Sequence, residues 1–411
     1  ILITKFFSIM KLQNLLLVTL TSMALLSCND SDDGIETPAA QVKKAVVTIN
    51  IKGNTITRAL SEEVPGTGNE NDIKSLEFFV FNGDGSFQKY FKPEAPAANS
   101  QYTFLVDAGN LTILAAVNQN LGEPSTTPIS LADFKNTCLY TQLLLNGSNS
   151  RADIDASTGF AMAAEGSVNV IESETNILNL SVRRLLSKIE NPKVDPNNQI
   201  TAPKSDLLKV LGLEENGTVP EDLKWSFDGY MVINGINQSR AFEYENLEGW
   251  TRFTTASNHK TTFSGDGETV ESVYSTKNDE GSETTNGFLP VDYEKPVFVY
   301  ETIPTTLQGG NGSATVFNKD EVVAFIIKGT FSGTGVNNTT RYWRVNLLKD
   351  DLWKIYRNSI YRITMKDIKT VGWSTPQEAE EEGPVVDPTE SSISINIDVA
   401  KWDVRTQDVD L

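Results

Sequence analysis

Apolar and polar residues alternate with a period of two along most of this chain, and no other feature restricts its fold so strongly. Val47-Thr48-Ile49-Asn50-Ile51-Lys52 alternates cleanly, which puts one apolar row on one face of a β-strand. Ile73 to Phe81 runs into Asn82-Gly83-Asp84-Gly85. Asn and Gly tolerate positive φ, so this is read as a hairpin turn rather than a calcium loop. Leu111 to Val117 reads as a buried strand. Further strands are expected over Val168–Leu180, Val182–Ile189, Trp225–Val232, Val297–Thr302, Val322–Gly329, Tyr342–Leu347 and Ile360–Ile368, with Gly, Asn, Ser and Thr clusters between them. Helical patches are confined to Leu131–Leu145 and Ser205–Leu213. Many short strands without alternating long helices predict an all-β chain of sandwiches, not a parallel α/β sheet. The 411 residues exceed one packed core and suit two domains with extensions. Pro192 to Lys204 is polar and proline-bearing, so the expected boundary separates a first sandwich over 45–192 from a second over 193–373.

Composition narrows the function classes. A net charge of -19 repels phosphate backbones and argues against nucleic-acid binding. The single histidine, His259, leaves zinc sites and Ser-His-Asp constellations almost nothing to be built from. The reading is therefore not an enzyme, with no catalytic residue, metal or cofactor assigned. A carboxylate pair of the glycosidase kind stays open, because acids abound and only a structure gives their separation. So does a surface glycan-binding protein using exposed aromatic platforms. The candidates are Trp225, Trp250, Trp343, Trp353, Trp373 and Trp402, with Trp250 the most loop-like.

The start of the sequence reads as an export signal. Ile1 is no ordinary initiator, and Met10-Lys11 looks like the true start. The apolar run from Leu15 to Leu26 is short for a membrane span and suits the core of a signal peptide over residues 1–27. Leu25-Leu26-Ser27-Cys28 resembles a lipobox, with Cys28 carrying the lipid. If Cys28 is acylated, no internal disulfide can form, and Cys138 reads as a small buried apolar residue. Residues 28–44 are then a lipid-linked tether. The acid cluster Asn29 to Gly34 resembles the export signal behind the lipid cysteine of Bacteroides-type surface lipoproteins. It lacks the later glutamate of an EF-hand.

The two ends of the body carry matching strands. From Ser374 to Ser392 the sequence is acidic and proline-rich, which predicts an extended linker over 374–391. Alternation then returns in the segment 392–411, with Ile393, Ile395, Ile397 and Val399, followed by Trp402 and Val404. No sheet within the chain is obviously waiting for this strand, and left open it would be an aggregation hazard. Its apolar positions match those of Val47, Ile49 and Ile51 in the first strand, so both could occupy one groove in turn. Arg58 follows that first strand, ahead of a Glu-, Gly- and Pro-rich loop, and no other arginine occurs before Arg151. Exposed loops are where proteases cut.

These residues resemble the fimbrillin family, the major fimbrial subunits and related type V pilin-like lipoproteins of Bacteroides and Porphyromonas. The resemblance lies in Leu76-Glu77-Phe78-Phe79-Val80-Phe81-Asn82 with Gly85, and in Leu114-Ala115-Ala116-Val117-Asn118. It continues through Arg184-Leu185-Leu186-Ser187-Lys188-Ile189, Tyr300-Glu301-Thr302, Tyr342-Trp343-Arg344-Val345 and Arg357-Asn358-Ser359-Ile360-Tyr361-Arg362-Ile363. Thr302 departs from the asparagine usual there. The resemblance implies two tandem transthyretin-like Greek-key sandwiches, a detachable first strand (45–57) and a C-terminal donor strand. It also implies a fimbrial subunit at the cell surface, anchored through lipid to the outer membrane before maturation and active in adhesion and biofilm. A protease would cut after Arg58, leaving Ala59 as the new terminus, and the partners would be further copies and accessory fimbrial subunits.

Overall fold

In a computed structural model the described residues are 43–53, 63–65, 71–96, 100–125, 128–140, 159–235, 239–242, 262–263, 270–271, 288–291, 297–301, 306–307, 316–317, 322–347, 355–382 and 393–403. The first half contains strands β1 (Lys44–Gly53), β2 (Glu63–Pro65), β3 (Leu76–Asn82), β4 (Phe87–Phe91), β5 (Gln101–Asp107) and β6 (Gly109–Val117). Helix α1 (Leu131–Thr137) follows, then β7 (Leu139–Tyr140), β8 (Met162–Val170) and β9 (Asn176–Arg184). The second half has β10 (Leu186–Ile189), β11 (Lys193–Val194), α2 (Lys204–Val210), β12 (Lys224–Ile233) and the short β13 (Ser239–Arg240), β14 (Thr262–Phe263), β15 (Val270–Glu271) and β16 (Leu289–Pro290). It continues with β17 (Val297–Tyr300), β18 (Thr306–Leu307), β19 (Val316–Phe317), β20 (Ala324–Ser332), β21 (Thr339–Asn346), β22 (Ser359–Ile368), α3 (Pro376–Glu382) and β23 (Ile393–Asp403). The protein is all-β, as the alternation requires.

The first sheet runs β4-β3-β6-β8-β9-β1-β5. Its seam is weak by design, since β8 and β9 pair only at Met162↔Arg184 and Ala163↔Arg183. The sheet therefore folds over on itself, with β4-β3-β6-β8 facing β9-β1-β5 across one core. Phe78 crosses that core to Tyr102 and Phe104, with ring centroids 5.4 and 5.6 Å away. The turn from β3 to β4 is the predicted hairpin, with Gly85 at φ +82°. Asp84 accepts bonds from the Ser86 amide and hydroxyl at 2.9 and 2.6 Å. These bonds favour the charged form and hold the Asp84 carboxyl below its usual range.

The second half stacks the sheet β17-β10-β22-β23-β2 against β16-β12-β20-β21. Between them lie Val299, Ile363 and Met365 from one side and Tyr230, Phe325 and Trp343 from the other, all buried. A third cluster joins the halves: Phe79 and Phe81 of β3 and Leu114 of β6 meet Phe242, Phe298 and Tyr300. This is why β3 is apolar on both faces, whereas a strand with one wet face would alternate.

Three expectations need correction. The run Val168–Leu180 is two strands, parted at residues 171–175 where Ser173 takes φ +63°. The chain passes to the second sheet between Arg184 and Leu186, and β11 also pairs with β22, so strand pairing changes sheets ahead of the Pro192–Lys204 segment. The stretch read wholly as linker, 374–391, begins with a docked helix, α3.

Candidate functional site

β1 is the feature the sequence singled out, and it is held on both edges. It pairs antiparallel with β5 from Lys44↔Asp107 to Asn50↔Gln101, and parallel with β9 from Val47↔Asn176 to Gly53↔Val182. Its inward residues Val47, Ile49 and Ile51 are 0%, 0% and 2% exposed. At ~1.5–3 kcal/mol each, these three contribute roughly 5–9 kcal/mol of gross hydrophobic stabilisation. Its outward face is polar and cross-linked. Thr48 and Thr103 share a hydroxyl bond at 3.1 Å, and Asn50 donates to Asn179 Oδ1 at 3.0 Å while accepting from Gln101 Nε2 at 3.1 Å. Removal of β1 would leave two bare strand edges and a row of apolar pockets between β5 and β9.

The C-terminal strand was expected to lack a sheet of its own. It has one: β23 pairs antiparallel with β22, matching Ile393 to Ile368, Ile395 to Met365, Ile397 to Ile363 and Val399 to Tyr361. An edge of β22 was available because the second half is itself two-layered, which alternation alone could not reveal. Among the described residues the other edge of β23 meets β2 alone, in a short parallel ladder with Val64 opposite Trp402. Over Ile393–Ala400 that edge has no strand partner among the described residues. The nine residues 54–62, which include Arg58 and Ala59, connect β1 to β2. They lie outside the described residues, as do Cys28, Val404, His259, Trp250 and Trp353.

Ahead of β23 the chain is pinned to β21. Thr375-Pro376-Gln377-Glu378 is a capping box with proline at the first helical position. The Glu378 amide donates to Thr375 Oγ1 at 3.1 Å, and the Ser374 amide donates to Glu378 Oε2 at 2.9 Å. One turn later, Glu380 (1% exposed) accepts from Arg344 (0%) at 3.2 Å, beside the fully buried Ala379. Arg341 donates to the Val371 and Gly372 carbonyls at 3.1 and 2.6 Å.

The sequence motifs that carried the family resemblance converge at the joint between the halves. Asn358 sits at φ +56°, a left-handed conformation that Asn tolerates better than most residues. It accepts from the Arg184 amide at 3.1 Å, and its own amide donates to Leu186 at 2.9 Å. Arg357 pairs with Glu301 at 2.9 Å, and Ser187 Oγ donates to the Tyr356 carbonyl. The Tyr361 hydroxyl accepts from the Tyr356 amide at 2.9 Å, and burial pushes its pKa up. Asn118, also at positive φ, donates to the Asp72 and Phe160 carbonyls and accepts from the Lys74 and Ser75 amides. These are fold-building roles. Cys138 is half-buried, and burial pushes its thiol up to about 12, which keeps it unreactive. Trp225 and Trp343 pack edge-to-face inside the second core at 5.8 Å, so neither offers an exposed platform. No described helix is long and apolar enough to cross a membrane.

Such an assembly of sheets and paired arms defines an all-β protein. A model of the major fimbrial subunit protein (FimA) matches residues 45–209, and one of the C-terminal region of fimbrillin, major fimbrial subunit protein type IV, matches residues 338–408. Together they span more than half of the chain, and the chain belongs to the fimbrillin family of fimbrial subunits. That family is structural rather than enzymatic, and it works in cell-surface fimbriae. Among solved structures, a fimbrilin from Porphyromonas gingivalis is 14% identical with a TM-score of 0.51, covering 89% of this chain and 99% of that one. A candidate cell adhesion protein from Bacteroides eggerthii is 17% identical with a TM-score of 0.50, covering 88% and 97%. Another, from Parabacteroides distasonis, is 16% identical with a TM-score of 0.50, covering 88% and 99%. At these identities the likeness is one of fold. No curated protein matches the sequence.

Proposed function

We propose that this protein is a fimbrial subunit that polymerises by protease-triggered donor-strand exchange. The single observation that carries the reading is the match between β1 and β23 together with their unequal retention. One is gripped along both edges, the other along one edge and three residues of the second. Cleavage after Arg58 would free β1 with the lipid-linked tether on Cys28, and Ile393 to Val399, with Trp402 and Val404, of a second copy would fill the groove. Strand addition supplies main-chain hydrogen bonds along its length and pockets for alternate side chains. Because the contact joins different surfaces head to tail, it propagates into a filament. Accessory fimbrial subunits would share the same contact, and adhesion and biofilm support would be properties of the polymer.

Treatment of the full chain with an Arg-specific protease, followed by negative-stain microscopy, tests the reading. Filaments are expected from the intact sequence and none from a chain lacking 391–411, which should remain a folded monomer. Filaments of normal length from that truncation would overturn it. Arg58→Ala should block maturation, and N-terminal sequencing of assembled protein should begin at Ala59.

A further inference from the structure

The match between the two strands extends beyond the apolar positions. Aligning Val47 with Ile393 also sets Thr48 against Ser394 and Asn50 against Asn396, so both strands read apolar, hydroxyl, Ile, Asn, Ile. An asparagine flanked by isoleucines in mid-strand is unusual, since Asn is depleted in strands. In β1 its purpose is visible. The Asn50 amide uses both its ends, donating to Asn179 on β9 and accepting from Gln101 on β5, which ties three strands at one level. A carboxamide carries its donor and its acceptor on separate atoms and so spans both neighbouring amides. A shorter hydroxyl, with both functions on one oxygen, reaches them less well, and an ionised carboxylate, an acceptor only, cannot do so. One step along, Thr48 makes the hydroxyl pair with Thr103.

We infer that Asn396 is the register-determining residue of the exchanged strand: in the groove of a second copy it takes the place of Asn50 between Gln101 and Asn179, with Ser394 opposite Thr103. This rests on the strand-exchange reading and sharpens it. The apolar row alone fixes the register poorly, because a slip of two residues sets Ile395, Ile397 and Val399 in the pockets of Val47, Ile49 and Ile51, all of them apolar. The outward ladder breaks that degeneracy, since a two-residue slip sets Ser394 or Asp398 between the amides. Charge marks where the exchanged stretch begins. Lys44 of β1 pairs with Asp107, whereas the aligned residue of the arm is Glu390, which would face Asp107 as a like charge. The ladder therefore starts after Glu390, within Ser391–Ser392.

Disulfide mapping of the full chain, with Cys138→Ala removing the internal thiol, decides the matter. Ser394→Cys is combined either with Thr103→Cys, its in-register partner, or with Leu105→Cys, two residues along β5. Each protein is cut with an Arg-specific protease, assembled, oxidised and run without reductant. Covalent multimers from the Thr103→Cys pair should exceed those from the Leu105→Cys pair by about tenfold, the ratio expected from roughly one well-made hydrogen bond. Adding Asn396→Leu should bring the two yields within about twofold while filaments still form. Filaments that cross-link better through Leu105→Cys, or that keep full selectivity with Asn396→Leu, overturn the register assignment and leave strand exchange standing. If the Cys138→Ala protein forms no filaments at all, the strand-exchange reading fails and the assignment fails with it.

Discussion

The first and last strands of this protein carry nearly the same pattern yet are held in different ways. β1 has ten residues and a neighbour on each side, and its inward side chains are sealed in the first core. Among the described residues, β23, eleven residues long, has one full neighbour, β22, while β2 covers just its last three residues. A strand with two paired edges can leave only by breaking both ladders and emptying its pockets, whereas one with a single paired edge can peel. The contrast shows that retention is set by the sheet around a strand, not by the strand's own sequence. It also gives the proposed cleavage a physical purpose: a strand gripped like β1 would not leave unaided.

The most forceful way to break this contrast is a charge in each strand. Ile49→Asp would bury an unpaired carboxylate at a site with no exposure, and a loss above about 4 kcal/mol is expected, enough to abolish the folded precursor. Ile395→Asp should leave a folded precursor that fails to assemble. Urea denaturation of both variants measures this, and equal collapse would erase the distinction. Next in size is the anchor of the arm. Glu380→Ala strands Arg344 in the interior and should cost about 3–5 kcal/mol, while the double change Arg344→Met with Glu380→Leu should restore most of it. Chemical denaturation of the single and double variants separates the two outcomes. Amide hydrogen exchange sharpens the comparison directly. Ladder amides of β1 should exchange only with global unfolding, and those of β23 at least about 100-fold faster through local opening.

The smallest effect belongs to the β3–β4 turn. Since the Asp84 carboxyl is held below its usual range in the folded protein, its stabilisation is present above the unfolded value and lost as pH falls through the folded one. Asp84→Asn should lower the melting temperature slightly at pH 7, and the difference should close in acid.

The alternation made the all-β class, the hairpin at Asn82–Gly85 and most strand positions legible, because a period of two is written residue by residue. What it could not convey was pairing. Nothing local in Ile393–Val399 says that β22 has a free edge, so the strand looked homeless in sequence and is housed in the fold. The acidic stretch after Ser374 reads as linker by composition, yet Thr375-Pro376-Gln377-Glu378 is a capping box in plain view, and Glu380 finds its arginine only through tertiary packing. Asn358 and Asn118 carry a signal that can be read in advance, since asparagine at a strand boundary suits positive φ, but their partners lie 174 and 42–46 residues away.

If strands are exchanged as proposed, the docked helix α3 has a consequence for competition between copies. With the chain fixed as far as Glu382, ten residues (383–392) separate the anchor from Ile393, a reach of no more than about 40 Å. A tether that short holds its strand near its own β22 at an effective concentration of order millimolar. A neighbour supplied at micromolar levels starts roughly 1,000-fold behind, a handicap of about 4 kcal/mol. The second edge and the empty pockets of an opened groove are what must exceed it. Under the proposed exchange, Arg344 and Glu380, by shortening the leash, would set the threshold concentration below which each subunit keeps its own strand.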